Sequence, residues 1–142
     1  MLTLVRHAQT VIDPAVPNAE WVLSEQGRAA AAALALSGPA LSSSEPKAME
    51  TARLAGLDAV VDDRLREASR PWSDTYDADV ERYLAGEPLP GWEPAAAVIE
   101  RMTAALDGFD GVAVSHGLAI ALYLGLPFEE WRAMPFPAVL QC

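Results

Sequence analysis

The chain has 142 residues, 51% of them hydrophobic, which suits a single domain over 1–142 with a buried core. Twenty acidic side chains against ten basic ones give a net charge of −10, which argues against nucleic acid as a partner because phosphate contacts need a basic surface. The lone cysteine, Cys142, excludes an intrachain disulfide, and no apolar run approaches the ~18 residues that a membrane span needs. We therefore expect a cytoplasmic protein with no membrane partner.

The first half of the chain alternates short apolar runs with segments that favour helix. LTLV predicts a buried strand, and Ser24 is the expected N-cap of an alanine-rich helix that ends before Gly38-Pro39. In chain order the predicted elements are a strand over 2–5, a helix over 24–36, a strand over 40–43, a helix over 45–56 and a strand over 58–63.

The second half begins with an irregular stretch over 69–94, in which we expect one short helix near 77–85. A helix over 94–107, a strand over 111–115 and a helix over 117–125 follow, and the tail over 136–142 is expected to be an edge strand. Strands that alternate with helices predict an α/β fold, in which helices flank a mostly parallel central sheet in three layers.

Polar residues follow three of the predicted strands at their carboxyl ends, where open α/β sheets bind ligands. Arg6 and His7 follow the first strand, Lys47 lies just beyond the second, and His116 follows the strand over 111–115. These side chains are expected to converge, and the helices that begin after Ser44 and His116 add backbone N–H donors. Such a cluster suits a phosphoryl group.

Other interpretations of the same residues remain open at this point. An Arg-His pair is commonly a surface pair, and a helical lysine is commonly solvated. The two histidines also raise the possibility of a metal site, although a catalytic zinc ion usually has three protein ligands. An Asp or Glu would have to complete such a site.

Five segments resemble, in order, the motifs of the histidine phosphatase superfamily, also called phosphoglycerate mutase-like. LVRHAQT resembles its RHG signature, and AVSHGLAI closely resembles its second signature, VSHG. Between them lie three weaker similarities that complete a set spanning residues 2 to 120, namely LSEQGRAAA, SSSEPKAMETA and DDRLREA. The resemblance implies a phosphoglycerate mutase-like three-layer fold.

The resemblance also implies roles for the matching residues. His7 would accept the phosphoryl group as the nucleophile, and Glu67 would donate a proton to the leaving oxygen. Arg6 and His116 would act with them, and the phosphate-binding set would be Arg6, Lys47, His116, Thr10 and Gly117. No metal or organic cofactor is implied. From the residues alone, Glu67 also fits an exposed carboxylate in a charge-rich stretch.

Two departures from the family pattern bear on activity. Ala8 replaces the usual glycine, and Lys47 replaces the usual arginine, which loses the bidentate fork for phosphate. The segment over about 68–93 corresponds to the lid and is short. We expect a phosphohydrolase for a phosphomonoester or a protein phosphohistidine, with a small phosphorylated molecule or a phosphoprotein as partner. A phosphomutase and a catalytically weak phosphate-binding module are the alternatives.

Overall fold

The computed structural model describes residues 1–142 and contains one sheet of five strands in the order β3-β2-β4-β1-β5. The strands are β1 (Leu2–Arg6), β2 (Ala40–Ser42), β3 (Val60–Val61), β4 (Gly111–Ser115) and β5 (Ala138–Gln141). Strands β1 to β4 run parallel to one another, and β5 pairs antiparallel with β1 at the edge of the sheet. This confirms the predicted edge strand and the mostly parallel sheet.

Six α-helices and two short 3-10 turns connect the strands. The helices are α1 (Glu25–Ala32), α2 (Pro46–Leu54), α3 (Tyr76–Leu84), α4 (Ala95–Leu106), α5 (Gly117–Leu124) and α6 (Phe128–Ala133), and the turns are Asn18–Glu20 and Asp63–Leu65. No helix has both the length and the apolar character that crossing a membrane requires.

Helices cover both faces of the sheet because successive strand residues point to opposite sides. Leu4 belongs to the larger core, which includes Met102 of α4 and Leu118 of α5. The next residue, Val5, faces a separate cluster that includes Ala52 of α2. The central sheet is therefore the middle layer of three, as the sequence predicts.

The predicted elements are present, with changes at their ends. Ser24 caps α1 as predicted, since its side chain accepts the N–H of Gly27. That helix ends at Ala32 instead of residue 36, because the chain turns so that the Leu36 N–H donates to the Ala55 carbonyl at 2.8 Å. The predicted strand over 58–63 is reduced to the two residues of β3.

The tail contains a helix that the sequence analysis missed. Pro127 precedes the six-residue α6, which is short for a helix and carries little periodic signal. Its Trp131 packs in the larger core. Together α6 and β5 return the end of the chain to β1.

The segment over 68–93 is partly packed and partly exposed. Val80, Tyr83 and Leu89 belong to the larger core, whereas residues 69–73 line a cleft at the carboxyl ends of the parallel strands. The hydroxyl of Tyr83 donates to the carbonyl of Glu93 at 2.6 Å, which closes this segment against the start of α4.

Candidate active site

A cleft of about 960 Å³ opens where β1, β2 and β4 end. All seven residues that the sequence singles out line it, although they come from four separate parts of the chain: Arg6, His7, Thr10, Lys47, Glu67, His116 and Gly117. The convergence follows from the parallel strands, whose carboxyl ends meet at one edge of the sheet.

His7 lies at the end of β1 and is almost fully buried. Its Nδ1 lies 2.7 Å from the Ala8 carbonyl oxygen, which can only accept, so Nδ1 carries the hydrogen. The other ring nitrogen, Nε2, then carries a free lone pair. Burial lowers the pKa of His7 well below its usual value, and the neighbouring His116, Lys47 and Arg6 lower it further. His7 is thus a neutral imidazole whose Nε2 carries no hydrogen.

His116 lies between β4 and α5 and has no exposed surface. Its ring centroid lies 5.1 Å from that of His7. Nε2 is 2.8 Å from the Ser43 hydroxyl and 3.4 Å from Oε2 of Glu45, whereas Nδ1 is buried without a hydrogen-bond partner. Burial lowers the pKa of His116, and the charge of Lys47 lowers it further.

Arg6 is held between the tail and the start of α5. Its Nη1 donates to the Met134 carbonyl at 2.7 Å, and its guanidinium lies 3.5 Å from the centroid of the Phe136 ring. A Cβ atom on Gly117 would stand 2.8 Å from Cζ of Arg6, so glycine is required there by close packing. Burial lowers the pKa of Arg6 to about 10, which leaves it cationic at neutral pH. Its buried Nε has no hydrogen-bond partner.

Lys47 extends from the first turn of α2, and its side chain is only 2% exposed. Its ammonium donates to the Asn18 carbonyl at 2.7 Å and to Oε1 of Glu45 at 2.8 Å, with a longer contact to Oδ1 of Asn18 at 3.3 Å. These contacts take up all three N–H donors of the ammonium. In this structure Lys47 lines the cleft with its charge already paired.

Glu67 is bound at the N-terminus of α5. Its Oε1 accepts the N–H groups of Ala68 and Ala119, both at 2.8 Å, and its Oε2 accepts that of Leu118 at 3.1 Å. Arg101 of α4 also holds the backbone of this residue, because the Arg101 Nη2 donates to the Glu67 carbonyl at 3.1 Å. The Glu67 carboxylate is therefore a fixed group of the cleft and not the exposed surface carboxylate of the alternative interpretation.

Thr10 lies three residues after His7, in the loop that follows β1. It is paired with Leu23 in an isolated β-bridge, which holds the loop after β1 against the start of α1.

Ala8 is fully buried, and its N–H donates to the Thr51 hydroxyl at 3.1 Å. The methyl group of Ala8 is accommodated in the core cluster with Leu23, away from the cleft.

The opening of the cleft carries several exposed apolar side chains. Ile12 is 67% exposed and Trp72 is 55% exposed, and both line the opening together with Val16 and Phe136. Arg70 also lines this part, with its guanidinium 4.6 Å from the centroid of the Tyr76 ring. Exposed apolar side chains grouped at a cleft favour contact with an apolar ligand.

Three residues of the site were missed by the sequence analysis. Glu45 was visible two positions before Lys47 but had no counterpart in the family motif. Asn18 and Phe136 carry no local signal, since they reach the site only through the loop after β1 and through the tail. No three His, Cys, Asp or Glu side chains are grouped so that they would hold a metal ion.

The geometry agrees with comparisons to known proteins. The family model of the histidine phosphatase superfamily (branch 1) matches residues 2–139. A comparison with proteins of curated function finds no match.

Solved structures similar to this chain include three with related sequences. The Thermus thermophilus protein TTHB049 is 29% identical with a TM-score of 0.71, and the match covers 87% of this chain and 82% of that one. A phosphoglycerate mutase from the same organism is 29% identical with a TM-score of 0.67, covering 85% and 80%. A mycobacterial glucosyl-3-phosphoglycerate phosphatase is 26% identical with a TM-score of 0.61, covering 95% and 84%.

Proposed function

The chain belongs to the histidine phosphatase superfamily, and from that premise we propose that it is a phosphohydrolase acting through a covalent phosphohistidine on His7. The observation that carries the proposal is the fixed tautomer of His7. Because Nδ1 donates to the Ala8 carbonyl and burial keeps the ring neutral, Nε2 is an available nucleophile at neutral pH.

The reaction proceeds in two displacements at phosphorus. In the first, Nε2 of His7 forms a bond to phosphorus while the bond to the leaving oxygen breaks, and that oxygen takes a proton from Glu67. In the second, a water oxygen attacks phosphorus, the P–N bond breaks, and Glu67 takes the proton of the water. Oε2 of Glu67 accepts a single N–H group, which leaves a lone pair on that oxygen for the exchanged proton.

Two side chains of the cleft support binding of the phosphoryl oxygens. Arg6 and His116 both line the cleft beside His7, and Arg6 stays cationic at neutral pH. The N–H of Gly117, at the first turn of α5, is not held by Glu67 and adds the positive end of a helix dipole. Thr10 and Lys47 complete the proposed phosphate-binding set.

The proposed substrate is a small phosphomonoester with an apolar organic part. The cleft is far larger than a phosphate group, and its opening carries exposed apolar side chains, including Ile12 and Trp72. An apolar substituent placed there would lose contact with water, which stabilises the complex by about 0.8 kcal/mol per methylene group.

Release of inorganic phosphate tests the function directly. In the presence of EDTA we expect the native protein to hydrolyse 4-nitrophenyl phosphate and His7→Ala to be inactive. Arg132→Gln, a substitution at an exposed position, is the control and should keep the activity. Activity that EDTA abolishes would contradict the metal-free mechanism.

In the same assay hexyl phosphate should have a higher kcat/KM than ethyl phosphate, and equal values would contradict the proposed apolar substrate.

A catalytically weak phosphate-binding protein is the second candidate. The observation that favours weak catalysis is the complete pairing of the Lys47 ammonium, because this cation has no free donor to stabilise the phosphoryl group during transfer. Such a protein would protect a phosphorylated ligand without consuming it. A phosphomutase would instead move phosphate between positions of the substrate, which analysis of the organic product distinguishes from hydrolysis.

A further inference from the structure

Glu45 is a buried carboxylate in the cleft for which the proposed chemistry has no use. It stands just before α2, and its side chain is 8% exposed. Its partners all belong to the site. Oε1 accepts from Lys47 at 2.8 Å, and Oε2 accepts the N–H of Glu67 at 2.8 Å and lies 3.4 Å from Nε2 of His116. A buried negative charge beside a site for an anion requires an explanation, because it repels that anion.

The contacts of Lys47 show what Glu45 competes for. With its three donors directed at Asn18 and Glu45, the ammonium has none left for a phosphoryl oxygen. A phosphoryl oxygen can therefore accept a hydrogen bond from Lys47 only if it displaces one of these acceptors. Glu45 is the charged one, so the carboxylate and the phosphoryl group compete for the same cation.

The formal charges of the cleft lead to the same conclusion. The side chains that line the cleft supply four positive charges and three negative ones, while burial keeps His7 neutral: the cations are Arg6, Lys47, Arg66 and Arg70, and the anions are Glu45, Asp63 and Glu67. A phosphate dianion thus enters a site with little net positive charge. Without Glu45 the same site would carry a larger positive charge and would retain the anion more tightly.

We infer that Glu45 sets the affinity of the cleft for phosphate, competing for Lys47 and repelling the anion so that inorganic phosphate is released after hydrolysis. The inference rests on the proposed function, since phosphate is the product only if the protein is a phosphohydrolase. Tight binding of a product slows turnover, so a carboxylate that weakens it favours the reaction. Glu45 acts here through Lys47 and through its own charge, without contact to the reacting atoms, and is a positioning residue.

Calorimetric titration with inorganic phosphate tests the inference on the native protein and Glu45→Gln. The amide keeps the shape of the side chain and one oxygen acceptor, but it removes the charge. We expect Glu45→Gln to bind phosphate at least about tenfold more tightly, and phosphate to inhibit its hydrolysis of 4-nitrophenyl phosphate correspondingly more strongly. A merely structural role of Glu45 would not strengthen phosphate binding.

Glu50→Gln is the matched control, because it removes the same charge five residues further along, inside α2. Glu50 pairs with Arg28 and Arg53 and does not line the cleft. Its substitution should leave phosphate affinity unchanged. Tighter binding by Glu50→Gln as well would show that net charge alone matters, and it would overturn the role of Glu45.

The outcomes separate this inference from the proposed function. If Glu45→Gln binds phosphate no more tightly than the native protein while both hydrolyse 4-nitrophenyl phosphate, only the role of Glu45 is overturned. If the native protein neither binds phosphate nor hydrolyses the ester, the proposed function fails together with the inference.

A second pair of variants covers the case in which Glu45→Gln does not fold. Replacing both members of a buried ion pair commonly costs little stability, whereas Lys47→Gln alone leaves the Glu45 charge unpaired. We expect the double variant Glu45→Gln, Lys47→Gln to bind phosphate at least about tenfold more tightly than Lys47→Gln. Equal or weaker binding by the double variant would overturn the inference.

Discussion

The position of the Arg6 guanidinium depends on the absence of a side chain at Gly117. A Cβ atom there would approach Cζ and Nη2 of Arg6 to 2.8 Å, which is closer than non-bonded atoms allow. We expect Gly117→Ala to displace Arg6 and to lower kcat/KM by about tenfold or more, since misplaced phosphate-binding groups lose their alignment.

The thermal stability of Gly117→Ala provides the control for this prediction. Gly117 is the first residue of α5 and has no left-handed backbone conformation, so alanine suits the helix itself. The variant should therefore stay folded, with its unfolding temperature lowered only by the loss of the Arg6 contacts to Met134 and Phe136. Unchanged kcat/KM in a folded variant would contradict the close packing as the reason for glycine here.

Sequence reasoning identified the residues that follow strands, and it failed for contacts between distant segments. Arg6, His7 and His116 stand next to predicted strand ends, so their convergence follows from the parallel sheet. The pairing of Lys47 with Asn18 did not follow, because the loop after β1 has no periodic pattern that predicts its path. Phe136 was missed for the same reason, since only β5 brings it over Arg6.

The N-terminus of α5 is organised around Glu67. Its carboxylate accepts the N–H groups of Leu118 and Ala119, so this side chain both caps the helix and faces the cleft. As the proton donor, Glu67 matters most for poor leaving groups. We expect Glu67→Gln to lower kcat/KM, which reports the first displacement, by about 10²-fold or more for an alkyl phosphate and by far less for 4-nitrophenyl phosphate, whose leaving group needs no proton.

The ratio of the two losses distinguishes proton transfer from capping. Glu67→Gln keeps one oxygen acceptor, and the loss of one acceptor at a helix end costs about 1 kcal/mol of stability. A purely structural effect would lower kcat/KM for both substrates by the same factor. That result, obtained with folded protein, would contradict Glu67 as the proton donor.

The elements themselves were largely predictable, and their ends were not. β4 occupies the predicted residues, because GVAVS is a short apolar run bounded by turn residues. The predicted end of α1 was wrong by four residues. The hydrogen bond from the Leu36 N–H to the Ala55 carbonyl is a tertiary contact that competes with helix propensity. Local patterns determine the type of an element, and packing determines where it stops.

Burial of both histidines makes the stability of the whole protein depend on pH. Their pKa values are lowered well below the usual value of about 6.5, so the folded protein keeps His7 and His116 neutral while the unfolded chain binds protons. Below about pH 6.5 the unfolded state therefore binds more protons, and the free energy of unfolding falls as pH falls. Between about pH 7.5 and 5.5 the loss should be about 1.4 kcal/mol per histidine.

Urea unfolding at the two pH values measures this loss. The carboxylates with lowered pKa values, Asp62, Glu87 and Glu93, lose their contributions only at more acidic pH. His116→Gln should therefore show about half of the native difference between the two pH values. Equal stability of the native protein at both pH values would contradict the buried neutral state of the histidines.

The measurement that tests the covalent mechanism most directly is the trapping of a phosphoryl group on His7. The protein is mixed rapidly with 4-nitrophenyl phosphate, quenched in alkali to preserve the P–N bond, digested, and analysed by mass spectrometry. We expect one phosphorylated peptide that contains His7, and no such peptide from His7→Ala or from native protein without substrate. Turnover of the ester with the label on another residue, or with no labelled peptide under conditions that preserve phosphohistidine, would contradict the covalent mechanism.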